Sequence, residues 1–143
     1  MRSLGAAALL VASVSACASD RDANSRRLFG LSQLATEPQG ALAVSDDGTY
    51  VFTDYSQERE SRGELTDAER GALKPHVSRS ALARMYAQAT PDGQRCQTQS
   101  GAYIVDSALG SACFVVDEIA DAEAKSRLEF LIALYVSKAA SAK

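Results

Sequence analysis

The sequence has no tryptophan, one histidine (His76), three prolines and three cysteines, and each shortage excludes something. A single histidine cannot build a His-rich zinc site, and any Ser-His-Asp or Cys-His arrangement would have to use it. No Gly-X-Ser-X-Gly elbow accompanies His76, which reads as a solvated residue after a helix break rather than a catalytic base. Walker and Gly-X-Gly-X-X-Gly patterns are missing too, so nucleotide chemistry has no support and no cofactor is implied. Positive charge is also short: 15 Lys and Arg stand against 18 Asp and Glu. That balance argues against nucleic acid, whose recognition needs a basic face to release counterions from phosphates. The apolar run from Leu4 to Val14 has 11 residues. A span of the hydrocarbon core takes about 20.

What is present at the N-terminus is a positive charge at Arg2, that apolar run, and small residues leading through Val14-Ser15-Ala16 into Cys17. The segment resembles the lipobox of bacterial lipoproteins. The resemblance implies that residues 1–16 are a signal peptide and are removed. It further implies that Cys17 carries a diacylglyceryl thioether and an N-linked, palmitate-type acyl chain. An ordinary secretory signal is the alternative; an uncleaved anchor is too short. Ala18 is not the aspartate that retains lipoproteins of enteric bacteria in the inner membrane. An outer-membrane anchor facing the periplasm follows by the same resemblance. Arg2 is the one charged residue of the leader, so its removal takes the net charge from −3 to −4. No polybasic segment then assists membrane binding, and the lipid alone must hold the chain there.

With Cys17 acylated, Cys96 and Cys113 are left as the one possible intramolecular pair. In an exported, oxidising compartment such a pair forms a disulfide. Sixteen residues lie between them, and closing a loop of that size stabilises by roughly 3 kcal/mol in the chain-entropy account. Neither cysteine belongs to a Cys-X-X-Cys motif and no histidine is near either in sequence, which disfavours a redox or metal role.

The remaining chain divides into a tether over 17–39 and one domain over 40–143. Residues 18–38 begin polar, and only Leu28, Phe29, Leu31 and Leu34 interrupt them. That cluster reads as a helical turn docking on the domain or, second, as a partner-binding motif. A hairpin follows: Ala41 to Ser45, then Asp46-Asp47-Gly48, then Thr49 to Thr53. A three-residue loop with Gly48 left-handed sets Val44 opposite Tyr50 and Leu42 opposite Phe52. A two-residue loop would split the large side chains between faces. Too few carboxylates alternate for the acidic turn to be a calcium loop. Ser56 to Gly63, the most polar run, reads as an exposed loop.

Thr66 and Glu69 form a capping box that opens a helix, with Ala68, Ala72 and Leu73 inward until Pro75 stops it at Lys74. Ser80 caps a second short helix carrying Ala81, Leu82, Met85 and Tyr86. Past the turn at Thr90 to Gly93, Ala102 to Val105 and Ala112 to Val116 form a second hairpin about a loop at Ser107 to Gly110. Asp117, Glu118, Asp121 and Glu123 gather where carboxylates favour the positive end of a helix, a simpler reason for them than a catalytic or metal cluster. In that last helix Ala124, Leu128, Leu131 and Tyr135 recur at spacings of four, three and four. Phe130, Ile132 and Leu134 widen the stripe, Glu123 and Arg127 pair along it, and the end from Ser137 frays.

Hairpin, helix, hairpin, helix predicts an α+β domain: a small antiparallel sheet from two hairpins, covered on one face by helices. The plan from Gly40 to Val136 is loosely similar to emfourin-type inhibitors of secreted metalloproteases, which also place short strands before a helix opening Leu-Ser/Thr. The likeness carries over no residue. The expectation is a non-catalytic lipoprotein of the bacterial envelope whose domain binds another protein or an envelope component. The alternative is an inhibitor of a secreted or periplasmic protease.

Overall fold

The computed structural model describes residues 27–35 and 39–142; the signal peptide, the lipobox and Cys17 lie outside the described residues. The elements are β1 (Arg27–Gln33), β2 (Gly40–Ser45), β3 (Thr49–Asp54), β4 (Arg59–Glu64), α1 (Asp67–Leu73), a 3-10 turn at Lys74–His76 and α2 (Arg79–Tyr86). They continue with α3 (Gly93–Gln97), β5 (Ala102–Ser107), β6 (Gly110–Val115), a second 3-10 turn at Val116–Glu118, and α4 (Ala122–Ser141). All six strands join one antiparallel sheet in the order β4-β3-β2-β1-β5-β6. The α+β class is as the sequence indicates. The order is not: four strands precede the first helix, and two of them, β1 and β4, lie where the sequence reads as a tether and a loop.

The first correction is β1. Phe29, Leu31 and Gln33 point inward and are buried, while Gly30 and Ser32 point outward. The strand pairs with β2 on one side and β5 on the other, so the domain begins by Arg27, not at Gly40. Leu28 is the extra residue of a bulge, which swings it into the core beside Phe29 and Leu31. That bulge and the missing outward side chains hide the period-two alternation and make the cluster resemble a helical turn. The second correction is β4. Its Arg59–Glu64 run pairs with β3 from Thr49↔Glu64 to Asp54↔Arg59. As an edge strand it needs no apolar face, and its charges discourage further pairing along the free edge.

The β2–β3 hairpin adopts the expected register, with Leu42 opposite Phe52 and Val44 opposite Tyr50. Gly48 turns it at φ +88°, and its missing Cβ leaves room for the Arg70 side chain, whose Nε would be 2.8 Å from such an atom. On this face Phe29, Leu31, Leu42, Val44, Phe52, Val105 and Phe114 form the core. Helix α4 lies across it with Ala124, Leu128, Leu131 and Tyr135 fully buried, the stripe that their spacing predicts. Tyr135 meets Phe52 and Tyr103 at centroid distances of 5.5 and 6.4 Å.

Helix α1 has the predicted capping box: Glu69 N donates to Thr66 Oγ1 and Thr66 N donates to Glu69 Oε1. Only Leu73 of its three expected inward residues is buried; Ala68 and Ala72 are exposed. Lys74 keeps helical angles despite Pro75, and the chain tightens into the 3-10 turn instead of stopping. Helix α2 is capped by Ser78, not Ser80, and buries Ala81, Leu82 and Met85 with Tyr86 half-buried. The end of α4 does not fray from Ser137, because Lys138 is held. Its Nζ donates to Glu69 Oε2 at 2.8 Å and lies 5.0 Å from the Tyr50 ring centroid. Tyr50 in turn covers Gly63, where a Cβ would come within 2.7 Å of the phenol oxygen. One carboxylate thus caps α1 and ties it to both α4 and the sheet.

A helix also lies on the opposite face. Ile104 pairs with Cys113 and Ala102 with Val115, all pointing away from α4, and α3 rests on them through Cys96. The sulfurs of Cys96 and Cys113 are at bonding distance, 2.09 Å. The bridge therefore fastens α3 to β6, and the expectation of helices on one face only is corrected.

Two stability measurements follow. Hydrogen bonds from Lys138 and then from Thr66 hold the Glu69 carboxyl below its ordinary pKa of 4.5. The resulting stability is complete above that value and is lost as pH falls through the lower folded-state pKa. Glu69→Gln is expected to cost roughly 1–2 kcal/mol in urea unfolding at pH 7, a deficit that shrinks progressively as pH falls below 4.5. A deficit that stays constant over that fall would refute the linkage. For the bridge, Cys96→Ala and Cys113→Ala should each lose about 2–4 kcal/mol, and the double variant no more than either single one. Additive losses would mean that the two sulfurs act separately.

Candidate functional site

The part of the outer face that α3 leaves uncovered is a trough of about 460 Å³. Its floor is the outward side of the two central strands, Gly30 and Ser32 on β1 and Ala41 and Ala43 on β2. Val51 and Thr53 of β3, backed by Glu60 and Arg62 of β4, raise one wall. Asp106 of β5, whose carboxylate accepts from Ser111 Oγ, stands on the other. Tyr55, 45% exposed in the β3–β4 turn, and Arg27 complete the lining.

Solvent-facing strand positions ordinarily favour branched and aromatic residues, and Gly and Ala are depleted there. Four adjacent small residues bring the backbone of β1 and β2 within reach of another molecule. The rim is polar and of mixed sign, with Glu60 and Arg62 paired to each other at 2.9 Å. None of these residues stands out in the sequence. The available signal was Ala41-Leu42-Ala43-Val44, where large residues alternate with small ones, and the same pattern in Phe29-Gly30-Leu31-Ser32.

The residues singled out for chemistry occupy structural positions. His76 is half-buried, correcting its assignment as solvated: its ring stacks on Phe130 at 4.1 Å and 14°. Burial first, and the charge of Arg127 second, push its pKa down, favouring the neutral imidazole. Asp121 is the N-cap of α4, accepting from Glu123 N at 3.1 Å. Arg84 Nε donates to the same carboxylate at 2.8 Å, and that hydrogen bond is the main reason its pKa is lowered. Glu123 bridges Arg84 and, at 2.9 Å, Arg127, as their i,i+4 spacing predicts. Asp117 and Glu118 sit apart, exposed on the turn before Ile119. Asp121 and Glu123 therefore bind arginines and the start of α4. Tyr86 donates to the Gly110 carbonyl at 2.7 Å and accepts from Ser107 Oγ, pinning the β5–β6 turn, and burial raises its pKa. Among the described residues no group of three His, Cys, Asp or Glu is placed to hold a metal ion. No helix among them is long and apolar enough to cross a membrane.

No family model, curated protein or solved structure matches the chain.

Proposed function

We propose that this protein is a lipid-anchored lipoprotein of the bacterial envelope, attached to the outer membrane through Cys17, and that its domain is a non-catalytic binding module. The address rests on Val14-Ser15-Ala16-Cys17. The binding role rests on one observation above all, the floor of four small residues, Gly30 buried and the other three half-buried, on a part of the sheet face that no described helix covers. Two further points support it. Among the described residues the perturbed titratable groups Asp54, Glu69, His76, Arg84, Tyr86, Tyr103 and Asp121 are engaged in turns, caps, ion pairs and packing, whereas a catalytic site needs such groups directed at a substrate. The trough also has both signs of charge on its rim, which suits an extended segment of a partner protein better than a polyanion.

Inhibition of a secreted or periplasmic protease is a special case of the same role, in which the partner is the enzyme.

Two variants test this reading. Cys17→Ser should move the protein from the membrane to the soluble fraction; retention after a high-salt wash would remove the anchor from the proposal. A photo-crosslinking amino acid at Ala43, on the trough floor, should capture a defined envelope protein. The same group at Val136, 45% exposed on α4, should not. Equal capture from both positions would defeat the trough as the contact surface, and loss of a protease's activity on capture would select the inhibitor.

A further inference from the structure

A second cavity lies on the α4 side of the sheet, between the β2–β3 turn and α1. It is a groove of about 430 Å³, within the range of small-molecule sites, roughly 300–1,000 Å³. Its apolar lining comes from Leu28, Val44, Leu65, Leu73 and Val77. These five residues come from β1, β2, the β4–α1 junction, α1 and the segment before α2, so the groove is built by the tertiary fold. Two cations, Arg70 and Lys74, stand one helical turn apart on its rim, against one carboxylate, Asp46. The salt bridges between described residues use neither cation. The Arg70 side chain is laid over Gly48 and is thereby kept beside the groove.

Gly71 supplies an independent sign. It lies in the interior of α1, where glycine costs about 1 kcal/mol relative to alanine, and a Cβ there would meet nothing within 4 Å. Neither backbone angle nor packing requires glycine, yet Gly71 lines the groove, and any side chain would project into the open space beside it. A narrow apolar cleft with cations at one rim and its mouth kept clear complements a molecule with an aliphatic tail and a single anionic head.

We propose that this groove binds a long-chain aliphatic carboxylate, a free fatty acid, with its tail along the half-buried Leu28 and Val77, over the buried Val44, Leu65 and Leu73, and its carboxylate between Arg70 and Lys74. The site is distinct from the trough and does not depend on the lipid anchor. The Cys17→Ser chain keeps every described residue and takes any acyl group on Cys17 out of the measurement. Titrated with dansyl-labelled undecanoic acid, it should show saturable fluorescence enhancement at one probe per chain, displaced by dodecanoate. Dodecanol, with the same tail and no charge, should displace the probe about tenfold less well, the scale of two exposed ion pairs. Arg70→Glu with Lys74→Glu should weaken dodecanoate at least as much and leave dodecanol unchanged. Gly71→Phe should abolish probe binding while the thermal midpoint holds or rises, since phenylalanine is the better helix former. Absence of saturable binding, or full binding by Gly71→Phe, overturns the site. Equal displacement by dodecanol and dodecanoate overturns the carboxylate as its ligand.

Discussion

Strand β1 is the piece on which the sheet depends. The meander β2-β3-β4 and the hairpin β5-β6 are far apart in sequence, separated by the helices from Asp67 to Gln97, and their strands do not pair directly. Arg27–Gln33 fills the space between them, pairing with β2 through Gln33↔Gly40 and with β5 through Leu31↔Val105. Without that ladder the chain would present two short sheets, each with an exposed inner edge, and small isolated sheets are marginal in water. Phe29 and Leu31, 0% and 1% exposed, also put two large apolar side chains of β1 at the centre of the layer that α4 covers. Continuity of the sheet and continuity of the core therefore rest on the same seven residues.

The two faces of this sheet are finished differently. On one, a 20-residue helix brings a continuous apolar stripe to a continuous apolar floor. On the other, α3 is five residues long, too short to hold a position by helix formation alone. A covalent bond through Cys96 compensates, joining α3 to the strand it covers, and the small apolar group of Cys96, Ala102, Cys113 and Val115 closes beneath it. Since α3 packs on β5 and β6, no described helix covers the outer side of β1 and β2, and there the side chains shrink to Gly, Ser and Ala. The bridge thus indirectly bounds the trough: it fixes how much of the face is occupied.

Local chemistry was readable where it is self-contained. The register of the β2–β3 hairpin followed from which loop length buries Leu42, Val44, Tyr50 and Phe52 together. The capping box at Thr66 and Glu69 needs only its own turn, and the stripe from Ala124 to Tyr135 needs only the helical period. Cys96 and Cys113 were paired by counting. What could not be read depends on partners remote in sequence. In β1, Gln33 is buried at 3% exposure although it is polar, and Gly30 and Ser32 contribute nothing to the pattern, so its alternation is legible only once β2 and β5 are in place. In β4 the six residues RESRGE have no apolar face at all, and the strand exists because β3 offers a ladder. Lys138 looked like part of a fraying end for the same reason: Glu69 and Tyr50, which hold it, are 69 and 88 positions earlier.

Placing β1 at Arg27 also changes what an anchor at Cys17 would mean. A tether running to residue 39 would let the domain stand well away from a bilayer. Nine residues, 18–26, separate Cys17 from Arg27, and the ten Cα–Cα steps between the two span at most about 36 Å even when fully extended. Arg27 itself lines the trough, so on the proposed reading the lipid is attached to one end of the candidate binding face. The Arg27 end of that face would then be held within about 36 Å of the membrane surface. On that reading the short lead keeps the trough near the membrane, a restriction imposed by covalent geometry that does not require any contact between the domain and lipid.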